Sequence, residues 1–204
     1  MTIYYCIEDE LSRAVAERLI QQFCFPDTAI QELGKAIGGF GYIKSNMRKF
    51  HTLAQRSSVL IITDLDRCEC APSLRRGWLA GANIAEPLPE KMLFCIAQTE
   101  IESWLLADTR GIAALLKISP ARLSHNIETL IVDAKEYLVQ LAKGSPDVDI
   151  RKDLTPTANS GASTGLNYNY RLSKFVAEQW NPEEAAENSS SLRRAIAKLS
   201  ALIL

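Results

Sequence analysis

The run Ser58-Val59-Leu60-Ile61-Ile62-Thr63 is rich in β-branched residues and stops abruptly at Asp64-Leu65-Asp66. A short apolar run bounded by charge reads as a strand buried on both faces, the pattern of a parallel sheet covered by helices. In open α/β sheets, ligands and chemistry gather outside the carboxyl ends of the strands. Asp64 and Asp66 therefore fall at the functional edge. Strand residues i and i+2 share a face, so this spacing lets both carboxylates converge on one hard cation. Oxygen ligands of this kind suit Mg2+ or Mn2+. The competing reading makes them turn aspartates, or an N-cap of the next helix.

The N-terminus carries a second such edge. Thr2 to Ile7 is a short β-rich run, followed by Glu8-Asp9-Glu10 and a helical pattern through Leu11, Val15, Leu19 and Ile20. If the first and third strands are neighbours, Glu8 comes close to Asp64 and Asp66. Carboxylate pairs about 4 Å apart repel by roughly 4 kcal/mol at an effective dielectric near 20. Metal binding is the simplest reason for a fold to tolerate that. The alternative for Glu8, Asp9 or Glu10 singly is charge that complements a helix N-terminus.

Further along, strand and helix patterns alternate: a second strand from Thr28 to Leu33, a helix near Ile43 to Gln55, the Val59 strand, a helix opened by Pro72, and a fourth strand from Met92 to Ala97. A βαβα order predicts a Rossmann-like, four-stranded, mainly parallel sheet with right-handed crossovers. From Glu100 onward the periodicity is helical, around Trp104, Ile112 to Leu116, Ile131 to Leu141, Leu172 to Trp180 and Leu192 to Leu202. The expected organisation is an α/β domain over residues 1–110 and a mostly helical part over residues 111–204 packed on it. An irregular loop is expected over residues 143–169, where Pro146, Pro156, Gly161 and Gly165 lie among polar residues.

The fourth strand also delivers acid, since Glu100 and Glu102 follow Ala97 directly. Glu100 completes a metal-ligand set with Glu8, Asp64 and Asp66, and Glu102 or Glu10 can hold a second ion or orient water. The alternatives are N-capping for Glu100 and a helix-end turn for Asp108. Among the basic residues, Arg75-Arg76, Lys143, Arg151-Lys152 and Arg171 are candidate phosphate contacts, Arg by bidentate geometry and Lys as a point charge. Arg151 and Lys152 lie in the expected loop, and Arg171 lies beside Tyr168 and Tyr170, a basic and aromatic mixture that suits a single strand. Gly38-Gly39-Phe40-Gly41 reads as a turn, with Lys35 on the wrong side for a P-loop.

Composition narrows the classes. At 204 residues with 47% hydrophobic and 23% charged residues, the chain can bury one core. A net charge of −1 gives no global basic field, so nucleic acid would be held by local patches. Five cysteines without a Cys-x-x-Cys pair, and only two histidines, His51 and His125, argue against a zinc site, a disulfide frame or a Ser/His/Asp triad. The start has no basic n-region or apolar core, and no apolar run approaches the ~18 residues of a membrane span. The expectation is a cytoplasmic protein, neither exported nor membrane-embedded.

The order strand-Glu8, strand-Asp64-Leu65-Asp66, then Glu100-Ile101-Glu102-Ser103-Trp104-Leu105-Leu106-Ala107-Asp108 resembles the TOPRIM domain of topoisomerases, primases and OLD-type nucleases. It is most similar to the small bacterial TOPRIM-like proteins of the DUF4276-like group. The likeness covers about the first 110 residues at motif level. Gly165-Leu166-Asn167-Tyr168-Asn169 and Ser191-Leu192-Arg193-Arg194-Ala195 are similar to that group's carboxyl-terminal part. The resemblance implies that Glu8 takes the place of the first-motif acid, with Asp64 and Asp66 as the DxD pair. Two departures bear on a second ion: Asp9 stands where the motif usually has Gly, and Ser12 where OLD-type relatives often have another acid. The family also implies an ATPase partner and a phage-defence setting.

The expected function is a divalent-metal-dependent phosphodiester enzyme, nuclease-like, acting on nucleic acid. Glu8, Asp64 and Asp66 hold Mg2+ or Mn2+, and Lys152 offsets charge on the transition state. One alternative is a catalytically degenerate TOPRIM-like partner or regulatory subunit of an ATPase. A third is another DxD phosphotransfer enzyme; a dehalogenase-type phosphatase wants its nucleophilic Asp on the first strand, whereas this DxD follows the third.

Overall fold

The computed structural model describes residues 1–34 and 39–203. Lys35 and Gly38 lie outside the described residues, while Gly39, Phe40 and Gly41, expected in a turn, instead open a helix. The α/β half runs β1 (Thr2–Cys6), α1 (Glu10–Phe23), β2 (Ala29–Glu32), α2 (Gly39–Ala54), β3 (Ser58–Asp64), α3 (Ala71–Gly81) and β4 (Met92–Ala97). It continues as α4 (Glu102–Leu106), α5 (Thr109–Leu116), α6 (Ile127–Leu130), α7 (Ala134–Lys143), α8 (Val148–Leu154), α9 (Tyr168–Glu178), α10 (Pro182–Asn188) and α11 (Ser190–Ser200). Among the described residues no helix is long and apolar enough to cross a membrane.

The strands pair in the order β2-β1-β3-β4, every pair parallel. That is a Rossmann-like α/β fold, and β1 and β3 are neighbours as Glu8 requires. Strand β3 is buried from Ser58 to Thr63, which explains its unbroken apolar run. Alternate side chains serve two cores. Cys6, Val59, Ile61, Met92 and Phe94 face α2 and α3. Ile3, Tyr5, Leu60, Ile62, Leu93 and Cys95 face α1 and join Trp104, Leu138, Leu154, Phe175, Trp180 and Leu192. The carboxyl-terminal helices thus share one continuous core with the sheet.

The expected loop over 143–169 is corrected in part. Asp147 caps a helix there, accepting from the Asp149 and Ile150 amides at 2.9 and 3.2 Å, and α8 buries Ile150 and Leu154. Arg151 and Lys152 therefore sit on a helix. Gly165 closes the α8–α9 connection against α8, where an added Cβ would come within 2.2 Å of the Asp153 carbonyl oxygen. Another correction concerns the helix expected from Ile131, which begins only at Ala134. Asp133 caps it by accepting from the Glu136 amide at 2.7 Å.

Glu128 on α6 ties down the start of α11. Its carboxylate accepts from the Ser189 hydroxyl (2.6 Å), from the Ser190 amide and hydroxyl (2.9 and 2.8 Å), and from the Ser191 amide and hydroxyl. Ser191 Oγ also accepts from the indole of fully buried Trp104 at 2.6 Å. Burial alone would raise the Glu128 pKa, but the serine hydroxyls and the Ser191 amide outweigh it and hold the carboxyl below its ordinary value. A depressed carboxyl adds stability above its unfolded pKa, and this is lost as pH falls through the folded value. Glu128→Ala is expected to cost about 2–3 kcal/mol at pH 7, because buried donors lose a charged acceptor. Denaturant melts should show that difference shrinking below about pH 4; a gap independent of pH would contradict it.

Candidate functional site

Parallel register builds the site. Cys6 lies opposite Ile61, so two residues further on Glu8 comes alongside Thr63. The Thr63 hydroxyl and the Asp64 amide, the latter at 3.0 Å, both donate to Glu8 Oε1. Across β3, Asp64 lies opposite Ala97. The next backbone contacts, from the Leu65 amide to Ala97 O at 3.0 Å and from the Asp66 amide to Thr99 O at 2.8 Å, carry the two strand ends on together.

Here the period-2 expectation for Asp64 and Asp66 is corrected. Strand β3 ends at Asp64, and Asp66 is exposed with φ +49°. Thr99 across from it has φ +62°. Aspartate tolerates the left-handed region, whereas a β-branched residue there is a true outlier, costing on the order of 1–3 kcal/mol and typical of functional edges. Neither aspartate caps the following helix, whose N-cap is Cys70.

From β4, Glu100 and Glu102 meet Lys135 of α7. The Lys135 amide donates to Glu100 Oε2 at 2.8 Å, and its ammonium lies 3.6 Å from Glu100 Oε1 and 3.7 Å from Glu102 Oε1. Glu102 is 1% exposed; its Oε1 accepts from the Tyr168 hydroxyl at 3.0 Å and its Oε2 is buried without a hydrogen-bond partner.

The electrostatics join these groups into one centre. Burial, then Glu8, Glu102, Asp9 and Asp66, raise the Asp64 carboxyl well above the usual range. Burial raises Glu8 too, opposed by Thr63 and the Asp64 amide and reinforced by Asp66 and Asp9. Burial pushes Glu102 up to about 7, with Lys135 opposing and Glu100 adding. For Lys135, burial would lower the ammonium pKa, but Glu102, Glu100, Asp64 and Asp9 outweigh it and raise it. Burial and then Glu102 raise the Tyr168 phenol.

Some expected residues stand apart. Glu10 is exposed in the first turn of α1, with Asp9 beside it capping the helix through the Ser12 amide at 2.8 Å. Asp108 is the N-cap of α5, accepting from the Gly111 and Asn181 amides at 2.8 and 2.9 Å. The Arg151 guanidinium donates to Ser145 O at 2.5 Å, Arg171 is paired with Asp153, its Nε at 3.0 Å, and Lys152 is exposed on α8. The cation coupled to the acids is Lys135, which sequence reasoning missed: nothing local marks α7 beyond an ordinary amphipathic helix. Tyr168 was visible only as an aromatic near Arg171.

A groove of about 1100 Å3 opens beside the centre, lined by Leu65, Asp66, Glu69, Thr99, Glu100 and Glu136 among others. Its acids, Asp66, Glu69, Glu100, Glu128, Asp133 and Glu136, offer only oxygen donors, which fit Mg2+ or Mn2+ by chemistry. Among the described residues no three acidic, His or Cys side chains already stand as a ready-made ligand set. Compared with known proteins, the chain matches no family model, no curated protein and no solved structure.

Proposed function

We propose that the chain is a TOPRIM-like, divalent-metal-dependent phosphodiester enzyme acting on nucleic acid. One observation carries the reading: the parallel register brings Glu8 to the carboxyl end of β3, where the Asp64 amide donates to Glu8 Oε1 at 3.0 Å, and burial and Glu8 raise the Asp64 carboxyl there. Carboxylates that raise one another at the end of a strand are an arrangement that a bound cation relieves. Glu8, Asp64 and Asp66 are the residues to hold Mg2+ or Mn2+, with Glu100 in support. The ion, when bound, supplies Lewis-acid polarisation of a phosphate oxygen. Thr63 and the Asp64 amide fix the Glu8 carboxylate; Tyr168 and Lys135 hold Glu102. Lys135, beside Glu100 and Glu102, rather than exposed Lys152, is the cation coupled to the acids and the one to offset charge developing on a bound phosphate.

Lys135 also favours a second reading. An ammonium already stands beside Glu100 and Glu102, so the acids are partly balanced without an ion. That suits a degenerate TOPRIM-like subunit of an ATPase. In either case a phage-defence setting follows only from the resemblance.

The assay is cleavage of single- and double-stranded DNA and RNA with Mn2+, with Mg2+ and in EDTA. Cleavage dependent on the ion supports the enzyme reading. Silence under every condition, with and without an ATPase partner, moves the account to the subunit reading.

A further inference from the structure

Along edge strand β4 lies a cavity of about 460 Å3 between α3, β4 and α11. Four cations line it, Arg75, Arg76, Arg194 and Lys198, against one carboxylate, Glu86, which is paired with Arg75 at 2.6 Å. Among the described residues no carboxylate lies within ion-pair reach of the other three. Arg76 and Arg194 instead rest on the hydroxyls of Ser73 and Ser190, both at 3.2 Å, and the Lys198 ammonium donates to Phe94 O at 2.7 Å. Both arginines are exposed. In a chain of net charge −1 this is a local concentration of positive charge. Ala71 and Pro72 bring the first turn of α3 to the same wall, and no side chain caps that turn. Its positive dipole end adds to the field. The occupant is therefore an anion, and guanidinium groups select phosphate.

The cavity neighbours the acidic groove, with one hydrogen bond of the protein between them. Ser191 lines the cavity and its Oγ accepts from the Gln98 amide at 3.3 Å; Gln98 in turn lines the groove beside Glu100. We propose that this cavity binds the backbone phosphates of a nucleic-acid strand and guides that strand along β4 to the acidic centre. The inference rests on the phosphodiester reading for its direction, but its binding step needs no metal. Several cations in one cavity with a second groove next to it favour a polymer carrying many phosphates over a free phosphate.

The test is fluorescence anisotropy of a labelled single-stranded oligonucleotide in EDTA, titrated across salt, with inorganic pyrophosphate in a parallel arm. Wild type should bind. Arg76→Ala/Arg194→Ala, an exposed pair whose truncation leaves the core intact, should bind at least tenfold more weakly, with the log–log salt slope lowered by about 1.4 for two lost single-strand phosphate contacts. Arg76→Lys/Arg194→Lys should recover most of the slope. Arg56→Ala, which removes an exposed charge at the amino end of β3, should change neither quantity. No binding by wild type, binding by the double alanine variant equal to wild type, an equal loss from Arg56→Ala, or binding of pyrophosphate without the oligonucleotide would each overturn the proposal. Failure of the enzyme reading is seen separately: oligonucleotide binding lost in the double variant, with no cleavage under any metal condition, keeps the site and discards the catalysis.

Discussion

Asn in place of Asp64 is expected to lower Mn2+-dependent cleavage by about 10³-fold, on the order of 4 kcal/mol of transition-state stabilisation. The amide keeps the side-chain volume and removes one negative charge from a centre that also holds Glu8, Glu102, Asp9 and Asp66. Metal-free stability should therefore be unchanged or raised. The sign follows from linkage. A carboxyl raised in the folded state binds its proton more tightly there than in the unfolded chain, so the wild type loses stability as pH rises above the unfolded pKa. The variant's advantage should grow with pH until the folded carboxyl has ionised. Single-turnover cleavage and denaturant melts in EDTA check the two halves. Retained activity contradicts the role in chemistry, and a metal-free loss of 1 kcal/mol or more gives Asp64 an architectural role instead.

Lys135→Met should destabilise the protein by about 2–3 kcal/mol at pH 8. Breaking a buried pair leaves an uncompensated charge and costs roughly 3–5 kcal/mol, discounted here because the Lys135 side chain is 36% exposed. Glu102→Gln alone should stabilise by roughly 1–2 kcal/mol at that pH, since it removes a buried carboxylate. In the Lys135→Met background, Glu102→Gln should stabilise by clearly more than it does in the wild type, a coupling that a double-mutant cycle reads directly. The Glu102 carboxyl stands at about 7 against an ordinary 4.5. The unfolded chain gives up this proton first, so its contribution to stability falls as pH rises through that window. Glu102→Gln should lack the fall. An equal effect of Glu102→Gln in both backgrounds would contradict the coupling.

The parallel sheet was legible because β3 and β4 are buried on both faces, and an unbroken apolar run ending in charge has few other readings. Strand β4 falls at Met92–Ala97 as expected. The approach of Glu8 to Asp64 was legible only on the condition that β1 and β3 pair, a condition the sheet order meets. The left-handed turn at Asp66 was not legible, because aspartate accommodates both strand and turn geometry; Thr99 gives no warning in sequence at all. Helix α8 hid between Pro146 and Pro156 because its core stripe is only Ile150 and Leu154. Lys135 was invisible for a different reason: its meeting with Glu102 is a tertiary event, as is the convergence of Arg76 and Arg194 on one cavity. Sequence marks where strand ends put acid; it does not mark which distant helix supplies the cation.

The central claim, that the acids at the carboxyl edge hold a divalent ion, is tested most directly by thermal melting with and without Mn2+. At ~10 mM ion and a dissociation constant near 1 mM, linkage stabilises the wild type by roughly 1.4 kcal/mol, or ~3–5 °C for a chain of this size. The Asp64→Asn/Asp66→Asn variant should show no shift. An unshifted wild type, or an equal shift in both proteins, would contradict the account.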